Sequence, residues 1–208
     1  LLEKIADLTG KPVGAFNIRK DSGCEARQST EHIEIVPQPE GKSGIIIRIK
    51  PGTKGEQCHI PVIISKTGLS EMVYNDFYIG EDCDVDIVAG CGIHNSGCET
   101  AQHDGVHTFY VGKRSKVRYV ERHYGEGDGL GENIMNPTTV VEMEEGSYME
   151  METTQIKGVD STRRETDAEL DDRATLVIHE KIMTHGAQRA ETHFRVDLNG
   201  AGCGTHVV

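Results

Sequence analysis

From residue 31 to residue 198, apolar positions recur at every second residue, in short runs broken by Gly, Pro, Asn and Asp. The runs are "EHIEIV" (31–36), "GIIIRIK" (44–50), "HIPVIIS" (59–65), "VRYVERHY" (117–124), "TTVVEM" (138–143), "TLVIHEKI" (175–182) and "THFRVDL" (192–198). Alternation with β-branched side chains marks strands that bury one face. "PQPEGKSG", "KPGTKGEQ" and "GEGDGLGEN" read as the turns or loops between them. Helical spacing is confined to the start. There Leu1, Leu2, Ile5 and Leu8 share one face of a predicted helix over 1–9, stopped by Gly10 and Pro12.

The strand pattern also repeats. "FYIGEDCDVDIV" from Phe77 and "FYVGKRSKVRYV" from Phe109 share an aromatic pair, an aliphatic residue and a Gly, then alternating apolar positions. Looser copies follow in "VEMEEGSYMEME", "ELDDRATLVIHE" and "DLNGAGCGTHVV". Aligned, they share one small-residue slot at Cys83, Ser115, Ser147, Ala174 and Cys203, with spacings of 32, 32, 27 and 29 residues. Two positions on lie Val85, Val117, Met149, Leu176 and Thr205; two further on lie Ile87, Tyr119, Met151, Ile178 and Val207. A period near 30 made of strands is the mark of a solenoid. Successive coils about 4.8 Å apart would stack same-slot residues into interior columns. The small slot fits a sharp corner, and Glu142, Glu144, Glu150 and Glu152 fit an outer face. The fold class expected is all-β: a parallel β-helix with a short N-terminal helix, residues 1–30 forming the helix and lead-in and 31–208 the core. An antiparallel β-sandwich is the rival reading, because strand spacing does not fix topology.

Composition agrees with a stacked fold. The 208 residues are 36 % hydrophobic, with 24 Gly, four Phe and no Trp, which is little bulk for a compact core. A net charge of -12 argues against nucleic acid or an anionic membrane as partner. No run approaches the roughly 18 apolar residues of a membrane span, and no leader pattern opens the chain. The six cysteines include no CxxC pair. A cytoplasmic protein with reduced thiols is the expectation.

Candidate chemistry concentrates in "GCGIHNSGCETAQHDGVH", residues 90–107. Cys91, His94, Cys98, His103 and His107 are ligand types suited to zinc or iron–sulfur chemistry, without the paired spacing of a zinc finger. The stretch also reads as a turn-rich connection from a strand ending at Val88 to one beginning near Thr108, with its histidines on the solvated face. Cys83 and Cys203 occupy the small slot and read as interior filler; Cys24 and Cys58 are secondary candidates. "EGKSG" (40–44) is no phosphate loop, because Val36 stands where that motif needs Gly. "GEGDGLG" (125–131) leads into no helical pattern and is no dinucleotide fingerprint. No local signature of a Ser-His-Asp or Cys-His dyad occurs.

The strings "PGTKGEQCHIPVIIS", "VYNDFYIGEDCDVDIVAGCGIHNSG", "QHDGVHTFYVGKRSKVRYVERHYGEGDG" and "EEGSYMEMETTQIKGVDSTRRET" resemble the SufB/SufD family, most of all the short SufB-type proteins of archaea and anaerobic bacteria. The resemblance implies a right-handed parallel β-helix. It also implies a non-enzymatic scaffold of the SUF system, on which iron–sulfur clusters are assembled for transfer to apo-proteins. Implied partners are a SufC-like ABC-type ATPase, a second copy or a SufD-like chain, and a cysteine desulfurase system. The cluster would be held transiently. On this reading Cys91, Cys98 and His94 are the candidate cluster-binding residues, and His103 and His107 the candidate metal ligands, with Cys91 foremost because neighbouring His⁺ would lower its pKa. Family members continue beyond "GAGCGTHVV" with further coils that carry the usual cluster residues and an ATPase-docking tail. A coil ending there is expected to pair its edge with another chain or to be disordered. Two other readings stand beside the scaffold: a β-solenoid enzyme with an exterior metal or carboxylate site, and a purely structural interaction module.

Overall fold

A computed structural model describes residues 1–10 and 12–208. The chain opens with helix α1 (Leu2–Ala6), an antiparallel pair β1 (Ala15–Lys20) and β2 (Gly23–Gln28), and a second antiparallel pair β3 (Ile33–Pro37) and β4 (Gly44–Ile49). After these, strands alternate between two sheets. One receives β5 (Lys54–Ile64), β7 (Asp84–His94), β9 (Lys116–Glu126), β12 (Tyr148–Gln155), β14 (Thr175–Ile182) and β16 (Gly204–Val207). The other receives β6 (Ser70–Ile79), β8 (Ala101–Val111), β10 (Asn133–Met135) with β11 (Thr138–Met143), β13 (Ser161–Leu170) and β15 (Arg189–Leu198). All pairings among these later strands are parallel, each with the strand one coil on. The result is a parallel β-helix of about five turns, not an antiparallel sandwich.

The register reproduces the columns expected from the repeats. Val85 faces Val117, Met149 and Leu176 in turn, and Ile87 faces Tyr119, Met151 and Ile178. Opposite them Phe77, Phe109, Val141 and Ala168 form another column, with the Phe77 and Phe109 rings stacked at 4.3 Å. These residues are buried in one continuous apolar core. At each tight corner the residue before the small slot adopts positive φ: Asp82 at 56°, Arg114 at 56°, Gly146 at 67° and Arg173 at 55°. The slot residue must then fit beneath the neighbouring coil. Ser115 Oγ accepts from the Cys83 N–H at 3.0 Å and donates to the Gly80 carbonyl at 2.6 Å. Cys83 is thus interior filler, as its slot predicts; Cys203 is half-buried. Glu142 and Glu144 are exposed and Glu150 and Glu152 half-buried on the outer faces, between the buried Met143, Met149 and Met151.

The helix is shorter than the predicted span of 1–9. Asp7, at φ 54°, turns the chain left-handed and ends it before Gly10 is reached. Ile5 and Ala6 bury against the outer face of the first sheet, beside Val88 and Tyr124. Lys4 Nζ donates to Tyr124 OH and to Glu126, both at 2.8 Å. Gly90 makes this close approach possible. A Cβ there would lie 2.6 Å from the Ile5 carbonyl and 2.8 Å from that of Arg122. Gly90→Val is expected to destabilise by about 1–3 kcal/mol through overpacking and to release α1, which hydrogen exchange at residues 4–7 would register as loss of protection. Among the described residues, no helix is long and apolar enough to cross a membrane.

Candidate functional site

The stretch 90–107 is not one connection. It is the end of β7, a corner at 95–100, and most of β8. Strands of eleven residues run through the glycines that read as turns, because Gly90 and Gly92 make room for α1 rather than for a bend. Alternation then decides where each candidate points. Cys91 is inward and 2 % exposed, whereas His94 faces out, 3.5 Å from Glu126. Cys98 lies exposed in the corner. Cys91, His94 and Cys98 therefore occupy three different surfaces. His103 and His107, placed on the solvated face by one reading of the sequence, are buried on the inner face of β8. The physical reason is parity: they share the face of Phe109 and Val111.

Inside, Cys91 adjoins a small cavity of about 10 Å³, lined also by His103, Gly105, His107, Glu121, His123 and Pro137. That is room for about one water-sized ligand. The cavity exists because Gly105 takes an inward position without a side chain; a Cβ there would sit 3.3 Å from His103 Nε2 and 3.5 Å from His107 Nε2. The site lies between two apolar regions, the main core on one side and a smaller cluster of Val62, Ile64, Ile93, Ala101, Met135 and Val159 on the other.

Two hydrogen-bonded chains meet at this cavity. In the first, Arg19 pairs with Glu71 at 3.0 Å, and Glu71 Oε1 lies 3.0 Å from His103 Nδ1. Donation from His103 Nδ1–H to the carboxylate leaves Nε2 as an acceptor at the cavity wall. Burial works against ionisation of Glu71, but His103 and Arg19 outweigh it and bring the pKa to about 2. In the second chain, His107 Nδ1 lies 2.6 Å from Tyr119 OH, which donates to Glu121 Oε1 at 3.0 Å. Asn75 Nδ2 donates to His107 Nε2 at 3.1 Å, so His107 is satisfied as a neutral ring protonated on Nδ1. Arg164 donates to Glu121 at 2.7 Å and to His123 Nδ1 at 3.1 Å, and its Nε lies 3.2 Å from Glu180.

Burial lowers the pKa of His107 to about 4, against the pull of Glu121. His123 is also lowered by burial. Burial opposes the charge on Glu121 too, yet His123 and the Arg164 guanidinium hold its carboxyl well below the usual range. The thiol of Cys91 moves the other way: burial, then Glu71 and Glu121, raise it well above the ordinary value. This corrects the expectation that neighbouring His⁺ would lower it, since burial dominates and the charges that act on the thiol are the two carboxylates. Cys58, a secondary candidate, is buried in the apolar core with its pKa pushed up to about 12; Cys24 is exposed.

These shifts fix a pH dependence. His107 and His123 bind protons more readily unfolded than folded, so their contribution to stability is complete above pH about 6.5 and is lost as pH falls toward 4. Glu71 adds a further loss between about 4.5 and 2. Urea midpoints are expected to fall steadily from pH 7 to pH 4, and His107→Gln to flatten that slope. A midpoint independent of pH over this range would show that the histidines are not buried neutral.

Glu71, Glu121, His123 and Arg164 were not singled out from the sequence. The signal that locates two of them is the small slot itself: Glu121 and His123 stand six and eight positions after Ser115, on the inward parity, and Cys91 stands eight after Cys83.

The chain matches no family model and no curated protein. Among the described residues, no group of three or more His, Cys, Asp or Glu is arranged to hold a metal ion. Cys91 and His103 both line one water-sized space, with the imidazole backed by the Glu71 carboxylate.

Proposed function

We propose that the chain is a scaffold component of a SUF-type iron–sulfur assembly system, with Cys91 as a sulfur-accepting thiol. The observation that carries this reading is the shared cavity of Cys91 and His103, with Glu71 and Arg19 behind the imidazole. The resemblance of the chain to SufB/SufD proteins supplies the class of cargo, and a parallel β-helix agrees with what that resemblance implies. Sulfide, iron and the cluster built from them are cargo here, not a resident group.

The chemistry assigned to Cys91 follows from its surroundings. In the resting fold the thiol is protonated. The proton passes to His103 Nε2 as the thiolate forms, and Glu71 stabilises the imidazolium that results. The thiolate attacks the outer sulfur of a donor persulfide, the donor's S–S bond breaks, and the donor leaves as a thiolate that takes up a proton. Cys91 then carries the persulfide, and the donor thiol is reduced. The donor would be a cysteine desulfurase system. A SufC-like ATPase and a second copy or a SufD-like chain would complete the assembly. His94 and Cys98 lie outside this interior site, and any role for them in holding the cluster would be played at the surface.

The test is persulfide labelling after incubation with a desulfurase and cysteine, followed by anaerobic reconstitution with iron. Wild type is expected to carry sulfane sulfur on Cys91 and to gain charge-transfer absorbance. Cys91→Ser is expected to lose the label, while Cys98→Ser and Cys24→Ser keep it. Equal labelling of wild type and Cys91→Ser would overturn the assignment of Cys91. Absence of both label and absorbance in every form would overturn the scaffold reading.

A further inference from the structure

The outer face of the second sheet carries a groove that the interior site does not use. It encloses about 570 Å³ beside the tight corners and is lined by Arg48, Lys50, Tyr78, Tyr110, Glu142 and Glu144, among others. That is the size of a ligand site. Its floor is bare because successive corners pack too closely for side chains: a Cβ on Gly112 would lie 2.6 Å from the Gly80 backbone, and one on Gly80 would lie 2.5 Å from Pro51 N.

In register along the solenoid axis stand Arg48, Tyr78, Tyr110 and Glu142. The two tyrosine rings stack at 4.9 Å and 12°, and Tyr78 is 44 % exposed. Tyr78 covers one face of Tyr110; the next residue in the row on its other side is Glu142, which has no ion pair among the described residues. A ring face and a free carboxylate are both negative, so together they attract a cation. Glu144 adds charge at the same end; among the described residues the free basic group at the other is Lys50, since Arg48 already pairs with Glu34 at 3.0 Å, and Glu81 is taken up by Arg114 at 3.3 Å. The groove is thus polar along its length, basic at one end and acidic at the other. Four coils at about 4.8 Å spacing span about 14 Å, the reach of four extended residues at about 3.3 Å each.

We infer that this groove binds an extended segment of a partner protein, with a basic side chain, Arg by preference, at Tyr110 and Glu142 and an acidic one about three residues away at Lys50. Arg fits because its planar guanidinium stacks on a tyrosine and pairs with a carboxylate at once. Exposed tyrosines are favoured anchors of such contacts. The inference does not depend on the chemistry of Cys91.

The test is to pan a random twelve-residue phage-displayed library against the full chain, then to measure the selected peptides by titration. Selected sequences are expected to share an acidic residue three positions from an Arg or Lys, with apolar residues between. Glu142→Lys and Tyr110→Ala are each expected to weaken binding at least tenfold, while Cys91→Ser leaves it unchanged. A peptide with its Arg changed to Glu is expected to recover binding to Glu142→Lys. Unaltered circular dichroism confirms that these surface variants fold. The inference is overturned if no sequence is enriched, if the enriched peptides bind Glu142→Lys as well as wild type, or if the charge swap fails to rescue. It is also overturned if sedimentation shows a dimer that Tyr78→Asp abolishes, since a second copy would then be the occupant.

Discussion

Arg164→Ala is expected to cost about 3–5 kcal/mol of folding stability, the usual penalty for removing one partner of a buried ion pair. This is a large share of the roughly 5–15 kcal/mol that holds a domain together. Arg164 is 6 % exposed and joins Glu121, His123 and Glu180 through all three of its guanidinium nitrogens. Without it, Glu121 keeps a buried negative charge whose remaining close contacts are neutral: the Tyr119 hydroxyl and the His123 ring. The carboxyl would then take up a proton at much higher pH, and stability would rise as pH fell through that range, the reverse of the wild-type trend. Arg164→Met combined with Glu121→Gln removes the fully buried pair and is expected to lose less than Arg164→Ala alone, since the only carboxylate left unpaired, Glu180, is partly exposed and still accepts from Thr192. Urea unfolding of the three forms at pH 7 is the measurement. A loss below about 1 kcal/mol for Arg164→Ala would mean that water reaches the cluster and screens its charges.

How much of this was legible in the chain depends on what each residue was read for. The small slot at Cys83, Ser115, Ser147 and Ala174 revealed the coil period, and with it the columns of Val85 and Ile87. Those columns are apolar, so their pattern is the ordinary one of a strand with one buried face. The apolar columns end two residues short of the polar ones. Glu121 and His123 continue the inward parity of Val117 and Tyr119 within "VRYVERHY", but charge makes them look like surface residues. Only the pairing of Glu121 with Arg164, which comes from a strand one coil further on, explains how that charge is tolerated inside. Sequence spacing does not display such a partner.

Glycine accounts for the other difference between pattern and structure. Gly90, Gly92 and Gly105 resemble turn residues, and most short Gly-rich stretches are turns. Here each lies inside a strand. Gly90 and Gly92 leave the space that α1 fills from outside, and Gly105 leaves a gap within. A strand glycine can mark a close approach as well as a bend, and which one applies depends on a neighbour distant in the chain.

Gly105→Ala tests what that interior gap is for, on the reading of Cys91 as a sulfur acceptor. The added methyl would stand 3.3 Å from His103 Nε2 and 3.5 Å from His107 Nε2, close enough to displace a water-sized ligand but needing only a few tenths of an ångström of give. The fold should survive, with a stability change within about 1–3 kcal/mol of overpacking. Sulfur loading should fall at least tenfold, because the methyl occupies the space where an incoming sulfur atom and the proton path to His103 must meet. A structural role for the gap predicts the opposite pairing: altered stability with loading intact. Labelling of Cys91 and the urea midpoint, measured on the same preparation, separate the two. If Gly105→Ala takes up persulfide as fast as wild type, sulfur does not pass through this cavity, and Cys91 is no more than a buried thiol in a polar layer of the core.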